Sequence, residues 1–337
     1  MIYKSIYYYK MQQFTDHERL KYNLKGLIIS MRKHDDLDIY VSGNSITTVK
    51  VTADMNYRSG GQNIPLYTSL FLILVDKGYF CLTDLIGDYL PKTPNGNIIT
   101  LQMLCNMTSG LADVINDPLI ANNPDVFKQW SDKELLHISY RMKPVQPPGK
   151  FYFGHITNIL LLCTAIQMKI KMSIKKLLIK YIFDPLNLPN LYEKTQYIKE
   201  PVLHSFSKYR TKPEYEDATY WNASFASYAG RINANAEQMN ILGTAMATGT
   251  LLSKQSYRDF LYNNTKNKNY YGMGVAVTYI DGYKVIFSNA NIDGYIGLWG
   301  YLPKLNQTIT IQANTDNIDG FESNFILQDY IKMIKLK

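Results

Sequence analysis

The chain has 337 residues, 46% of them hydrophobic and 19% charged, with a formal net charge of +8. That is enough for one large domain or two lobes about a shared cleft, and too apolar for a disordered chain. The positive balance suits a solvated basic surface first, and an acidic or phosphate-bearing partner second. The three cysteines, Cys81, Cys105 and Cys163, form no CxxC pair and cannot all pair within one chain, so reduced, buried thiols are expected. The five histidines (His17, His34, His137, His155, His204) include no HxH or HxxxH spacing, and no metal or other cofactor is expected.

Residues 1–22 read as a polar, tyrosine-rich arm or short helix. The runs 26–31 and 37–41 are β-rich, and the charged turn His34-Asp35-Asp36 between them signals a hairpin. Residues 66–77 are apolar on nearly every face, which predicts a core helix with Gly78 at its end. Thr83 or Asp84 is expected to cap a short helix before Tyr89-Leu90-Pro91, and Thr100 the helix at 101–107. Prolines 118, 124, 144, 147 and 148 mark a loop-rich middle. Helices follow at 156–168, at 174–182 behind Ser173 and ending at Asp184-Pro185, and at 236–246. The chain then turns β-rich at 275–280, 283–287, 295–301 and 308–313, with Asp281-Gly282 as a two-residue hairpin turn. A last helix at 321–334 ends in a basic cluster that suits the helix dipole. The simplest fold is α/β (α+β): terminal strands in one antiparallel sheet, flanked by helices, with a helical lobe inserted. The expected division is 1–60 with 265–337 for the sheet lobe and 61–264 for the helical lobe.

The N-terminus lacks the apolar core and cleavage site of a secretory signal, and the longest apolar runs, 66–75 and 159–166, are too short for a bilayer span. A protein kept inside a cell or packaged in a particle is expected. Tyr, Ile, Lys and Asn are abundant and have A/T-rich codons, which points to an A/T-rich genome such as that of a large DNA virus.

Several segments together resemble the serine β-lactamase/penicillin-binding-protein family, in the branch of class C enzymes and related esterases. They include Tyr57-Arg58, Leu74-Val75-Asp76-Lys77-Gly78, Leu82-Thr83-Asp84, Tyr89-Leu90-Pro91 and Thr108-Ser109-Gly110-Leu111. Pro148-Gly149, Phe183-Asp184-Pro185-Leu186, Ala229-Gly230, Tyr271-Gly272-Met273-Gly274, Gly294, Pro303 and Asn314 follow in the same order. The resemblance implies that fold from about residue 24 onward.

It also implies three catalytic elements. The first is S-x-x-K, whose lysine lies one helical turn from the nucleophilic serine. Counting back from Gly78 puts Gly61 at the serine and Ile64 at the lysine. The second is Tyr-x-Asn; after Pro148-Gly149, with one residue deleted, the tripeptide is Phe153-Gly154-His155. The third is a Lys-Thr-Gly or His-x-Gly strand that binds a substrate carboxylate beside the oxyanion hole. Counting back from Gly294 gives Asn289-Ala290-Asn291.

Displaced look-alikes have ordinary structural readings. Ser30 and Lys33 are expected on opposite faces of a strand. Ser173, before Lys176, sits where a helix cap belongs. Tyr220-Trp221-Asn222 reads as a loop, Ser59 has no lysine a turn later, and Ser109 belongs to a turn. The cluster Lys169, Lys171, Lys175, Lys176 and Lys180 reads as a solvated face, without a nucleic-acid motif.

The leading expectation is a catalytically inactive relative of this family. It would bind another protein or serve as a structural part of an assembly, such as a virion. The alternatives are a residual hydrolase with a relocated nucleophile involving Tyr220, His155 or Ser59, and a pseudoenzyme holding a small ligand in the old cleft.

Overall fold

The computed structural model describes residues 2–192, 197–209, 214–263, 265, 267–316 and 321–335. The first three strands are β1 (Gly26–Lys33), β2 (Asp36–Ile46) and β3 (Val49–Lys50). Two short ladders follow, β4 (Tyr57–Arg58) with β7 (Asn233–Ala234), and β5 (Phe206–Ser207) with β6 (Glu216–Asp217). The chain then adds β8 (Tyr270–Tyr271), β9 (Ala276–Ile280), β10 (Tyr283–Ile292), β11 (Tyr295–Leu302) and β12 (Gln307–Ala313). One antiparallel sheet of eight strands runs β3-β2-β1-β12-β11-β10-β9-β8. The pairing of β1 with β12, Leu27 opposite Ala313 and Ser30 opposite Thr310, joins the two ends as expected.

The hairpins are set by residues that accept positive φ. Asp281 and Gly282 (φ +48° and +86°) turn β9 into β10, and Asp293 and Gly294 (φ +41° and +85°) turn β10 into β11. Both carry positive φ at two central residues, the twist that antiparallel strands favour.

Ten helices lie among the described residues: α1 (Ile2–Lys21), α2 (Ile64–Asp76), α3 (Leu101–Cys105), α4 (Pro118–Ala121), α5 (Asp132–Arg141), α6 (His155–Ile170), α7 (Ile174–Leu178), α8 (Ala236–Thr248), α9 (Lys254–Phe260) and α10 (Ser323–Lys335). The N-terminal arm is thus a long helix. It buries Met11, Thr15 and Glu18 at i, i+4 and i+7, and Gln12 donates to the Val41 carbonyl of β2. Thr100 and Ser173 cap α3 and α7 as expected. Neither Thr83 nor Asp84 caps the short 3-10 turn Ile86–Asp88; the Asp84 carboxylate instead accepts from the Cys81 N–H and the Tyr89 hydroxyl. α7 gives way after one turn to a π-helical turn, Ile179–Phe183. All three thiols are free, but only Cys105 and Cys163 are buried; Cys81 is exposed in a turn.

The central strand β12 is buried along its whole length because helices cover both faces. Ile309, Ile311 and Ala313 pack with Leu327 and Tyr330 of α10. On the other face, Thr308 and Thr310 meet α8 through hydroxyls. Ser30 and Thr310 share a hydrogen bond at 2.6 Å, Asn240 donates to Ser30 at 2.9 Å, and Thr244 pairs with Thr308 at 2.6 Å. α2 is apolar all round and runs through the larger core between α6 and α8.

Candidate functional site

The family comparison in sequence points to the head of α2, where the chain makes a tight 3-10 turn, Gly60–Asn63. At Gly60, φ is +56° and an added Cβ would stand 2.7 Å from Ile292 Cγ2 on β10, so only glycine fits. Gly61 is different: an added Cβ would meet Ala290 Cβ at 3.5 Å, an ordinary contact. The turn is fixed on every side. Asn63 donates to the Ser59 hydroxyl at 2.7 Å and to the Gly60 carbonyl at 2.9 Å. The Trp299 ring N–H donates to the Gln62 carbonyl at 3.0 Å, and Gln62 donates to Gln312 at 3.2 Å. Ile64, 2% exposed, opens α2 inside the apolar core.

The wall opposite is the second half of β10. β9 pairs with it only as far as Phe287, so Ser288–Ile292 borders the site with no strand on that side among the described residues. Alternation decides which side chains face α2. Ala290 and Ile292 lie against Gly61 and Gly60, and the Ser288 hydroxyl donates to the Gly61 carbonyl at 3.4 Å. Asn289 and Asn291 occupy the alternate, exposed positions; Asn289 reaches the site through its carbonyl, 3.7 Å from an added Cβ at Gly61. The tripeptide is therefore at the site, but Ser288 and Ala290 are the residues that meet the turn. Strand parity, read back from the Asp293-Gly294 turn, is the signal that would have found Ser288.

The third wall is aromatic. Tyr271-Gly272-Met273-Gly274 runs over the first turn of α2, where the Thr68 hydroxyl donates to the Met273 carbonyl at 2.8 Å. Its Tyr271 ring meets Phe153 at 5.5 Å and His155 at 6.1 Å between centroids. Phe151 completes the cluster 4.6 Å from Phe153. His155 begins α6, and desolvation pushes its imidazole down to about 4. The ring is neutral at physiological pH, and no hydrogen-bond partner for it is found among the described residues. Nearby, buried Asp113 accepts from the Ile156 and Thr157 N–H groups, and desolvation raises it to about 6.

The displaced motifs are otherwise engaged. Ser30 is buried in the polar layer of the sheet, and Ser173 accepts from the Lys176 N–H as a cap. Ser59 donates to the Ile232 carbonyl at 2.9 Å, and Ser109 donates to Asn158 at 2.7 Å. Tyr220 is exposed, while Asn222 caps the following 3-10 segment.

The fold is shared with known proteins. A beta-lactamase family model matches residues 21–328. The chain belongs to the beta-lactamase family. The chain is 26% identical to PbpX of Bacillus subtilis (strain 168) over 290 residues, covering 85% of this chain and 66% of that one, just under two thirds of its length. The beta-lactamase-family fold is seen again in the D-amino acid amidase of Ochrobactrum anthropi SV3, with a TM-score of 0.84 at 17% identity over 97% of this chain and 98% of that one. A Streptomyces D-stereospecific amidohydrolase matches with a TM-score of 0.81 at 21% identity, covering 90% and 93% of the two chains. The penicillin-binding protein of Bacillus halodurans matches at 0.78 and 16% identity, covering 94% and 98%. No helix among the described residues is long and apolar enough to cross a membrane.

Proposed function

We propose that this beta-lactamase-family protein does not perform serine acyl transfer and acts instead as a binding or structural module. The observation that carries the reading is Gly61 at the head of α2, with Ile64 one turn on. Acyl transfer needs an attacking hydroxyl and a group to take its proton. Glycine supplies no side chain, and a buried isoleucine neither accepts a proton nor stabilises charge.

The surroundings support the same reading. Phe153 has the ring of a tyrosine without its hydroxyl. Ser288, Ala290 and Ile292 give the β10 wall no cation for a substrate carboxylate. The Ser59 hydroxyl is buried and held between Ile232 and Asn63. The Ser288 hydroxyl faces a carbonyl rather than a base. His155, held neutral by aromatic packing, is a weak base at pH 7. Loss of nucleophile and base together removes several orders of magnitude of rate. The remaining role is contact with another protein within an assembly; the A/T-rich residue usage supports a virion as its setting.

Incubation with a fluorescent penicillin, read by gel and intact mass, is expected to give no covalent adduct under conditions that label an active penicillin-binding protein completely. Stoichiometric acylation would overturn the proposal.

A further inference from the structure

Away from the head of α2, a pocket of about 440 Å3 lies between the end of α1 and the turn that joins β2 to β3. None of its lining residues belongs to the Gly60–Asn63 turn, to β10 or to the aromatic wall. Arg19 precedes residues 21–328, which the family model matches, so one wall of the pocket lies outside that match. Two cations line it, Arg19 and Lys25, and no carboxylate does. Asn23, Asn44, Thr47 and Phe206 add two amides, a hydroxyl and a ring.

The backbone sets both cations. The Leu24 N–H donates to the Arg19 carbonyl at 2.9 Å, and the Arg19 guanidinium donates back to the Leu24 carbonyl at 3.3 Å. Arg19 Nε donates to the Ser42 hydroxyl at 2.9 Å, and its Nη2 has no hydrogen bond among the described residues. Ser42 in turn donates to Asp16 at 2.6 Å, so Arg19 meets that carboxylate only through a hydroxyl. The Lys25 N–H donates to the Thr315 hydroxyl at 3.0 Å, and the Lys25 carbonyl accepts from the Asn44 N–H at 2.8 Å. Lys25 Nζ stands 4.5 Å over the Phe206 ring and has no ion pair among the described residues. Two cations that share no acid favour an anion between them. Asn44 points to a second requirement. Its Nδ2 donates to the Thr47 carbonyl at 3.0 Å, but its buried Oδ1 has no donor among the described residues. An acceptor buried in that way is costly to the fold. Thr47 has φ +42° in a two-residue turn where glycine or asparagine is usual. A β-branched residue at positive φ is strained, and such strain gathers at binding sites.

We propose that this pocket binds a phosphate monoester of a polyol, such as a sugar phosphate. The phosphate lies between Arg19 Nη2 and Lys25 Nζ, which donate to it, and a hydroxyl of the sugar donates to Asn44 Oδ1. A bare anion leaves the Asn44 oxygen unanswered, and a neutral sugar leaves both cations unanswered. A phosphate dianion matches two cations where a carboxylate matches one. The volume is that of an ordinary small-molecule site. No step of acyl transfer uses this pocket, so the proposal stands whether or not the protein acylates.

The test titrates the full chain with glucose 1-phosphate, methyl glucoside and inorganic phosphate by isothermal calorimetry at fixed ionic strength. Saturable binding of glucose 1-phosphate is expected, at least about tenfold tighter than inorganic phosphate, with no binding of methyl glucoside. Lys25→Gln should weaken glucose 1-phosphate by about tenfold, the loss of one charge-assisted hydrogen bond. Its thermal unfolding should stay close to wild type, because Lys25 is exposed and its ammonium makes no ion pair among the described residues. Lys304→Gln removes an exposed lysine elsewhere, one that lies over Tyr283, and should leave the affinity as it is. Equal losses in the two variants would mean attraction to the whole basic surface and overturn the proposal. So would equal affinity for glucose 1-phosphate and either of the other probes. Full-strength binding by Lys25→Gln, or no saturable binding of glucose 1-phosphate at millimolar concentration, overturns it as well.

Discussion

Arg58 and Asp293 meet 3.4 Å apart, one on a short strand before α2 and the other in the turn that ends β10. The guanidinium is fully buried and also donates to the carbonyl of Trp221 at 3.2 Å. The pair therefore ties the head of α2 to the sheet and to the loop carrying Trp221. Removing one partner leaves a buried charge, which typically costs about 3–5 kcal/mol, whereas removing both leaves none. Arg58→Met is expected to destabilise by about that amount in chemical denaturation. The double variant Arg58→Met/Asp293→Asn should recover part of the loss. It should not recover all, because the hydrogen bonds that Arg58 donates to the carbonyls of Trp221 and Thr219 are lost as well.

Buried acids make stability depend on pH. Burial raises Asp293 to about 6 in the folded state, above the ordinary carboxyl range. Between about pH 4 and pH 6 the folded protein then binds more protons at this site than the unfolded chain, so stability is present at low pH and falls as pH rises through that window. Asp113 acts in the same direction. His155 acts oppositely: its lowered pKa means that the unfolded chain binds the extra proton, so its share of stability grows as pH rises from about 4 to 6.5. The clean measurement is a difference. The stability gap between wild type and Asp293→Asn should shift against wild type by on the order of 1–3 kcal/mol from pH 4 to pH 7. A gap independent of pH would refute it.

Two adjacent glycines should respond differently to the same change. Gly61→Ser places its Cβ at an ordinary distance from Ala290 and is expected to alter stability by less than about 0.5 kcal/mol. Gly60→Ser forces a side chain into Ile292 at positive φ and is expected to cost several times more. Gly61→Ser alone should still form no penicillin adduct, because Ile64 supplies no base. Denaturation midpoints and fluorescent-penicillin labelling check the two halves of this expectation.

The parts of the site differ in how far they could be read beforehand, and the reason is geometric. Positions 61 and 64 follow from Gly78, because a helix keeps a constant count and α2 is apolar on every face. The β10 wall was harder, since a strand reverses its facing at each residue and a count off by one exchanges Asn289 for Ser288. The partnership of Phe153 and His155 with Tyr271 is tertiary, joining residues far apart in the chain, and no local pattern carries it. The sheet was legible from the β-rich runs at both ends of the chain and the Asp281-Gly282 turn. The full length of α1 was not, because the buried side of that helix includes Thr15 and Glu18, polar residues that hide its period.

Gly243 sets helix propensity against packing. It lies within α8, where glycine costs roughly 1 kcal/mol relative to alanine. Propensity alone thus predicts that Gly243→Ala stabilises. An added Cβ, however, would stand 2.9 Å from Trp299 Cγ and 3.0 Å from Trp299 Cβ. Trp299 cannot swing away, because it is fully buried and its ring N–H is held by the Gln62 carbonyl. Either α8 moves off β11, or the indole tilts and strains the bond that fixes the turn before α2. Overpacking of this kind costs about 1–3 kcal/mol, more than the propensity gain. Gly243→Ala is therefore expected to lower the unfolding midpoint, and to lower it less when combined with Trp299→Leu, which frees the space. A stabilised single variant would mean that α8 and the sheet are not in close contact at this point.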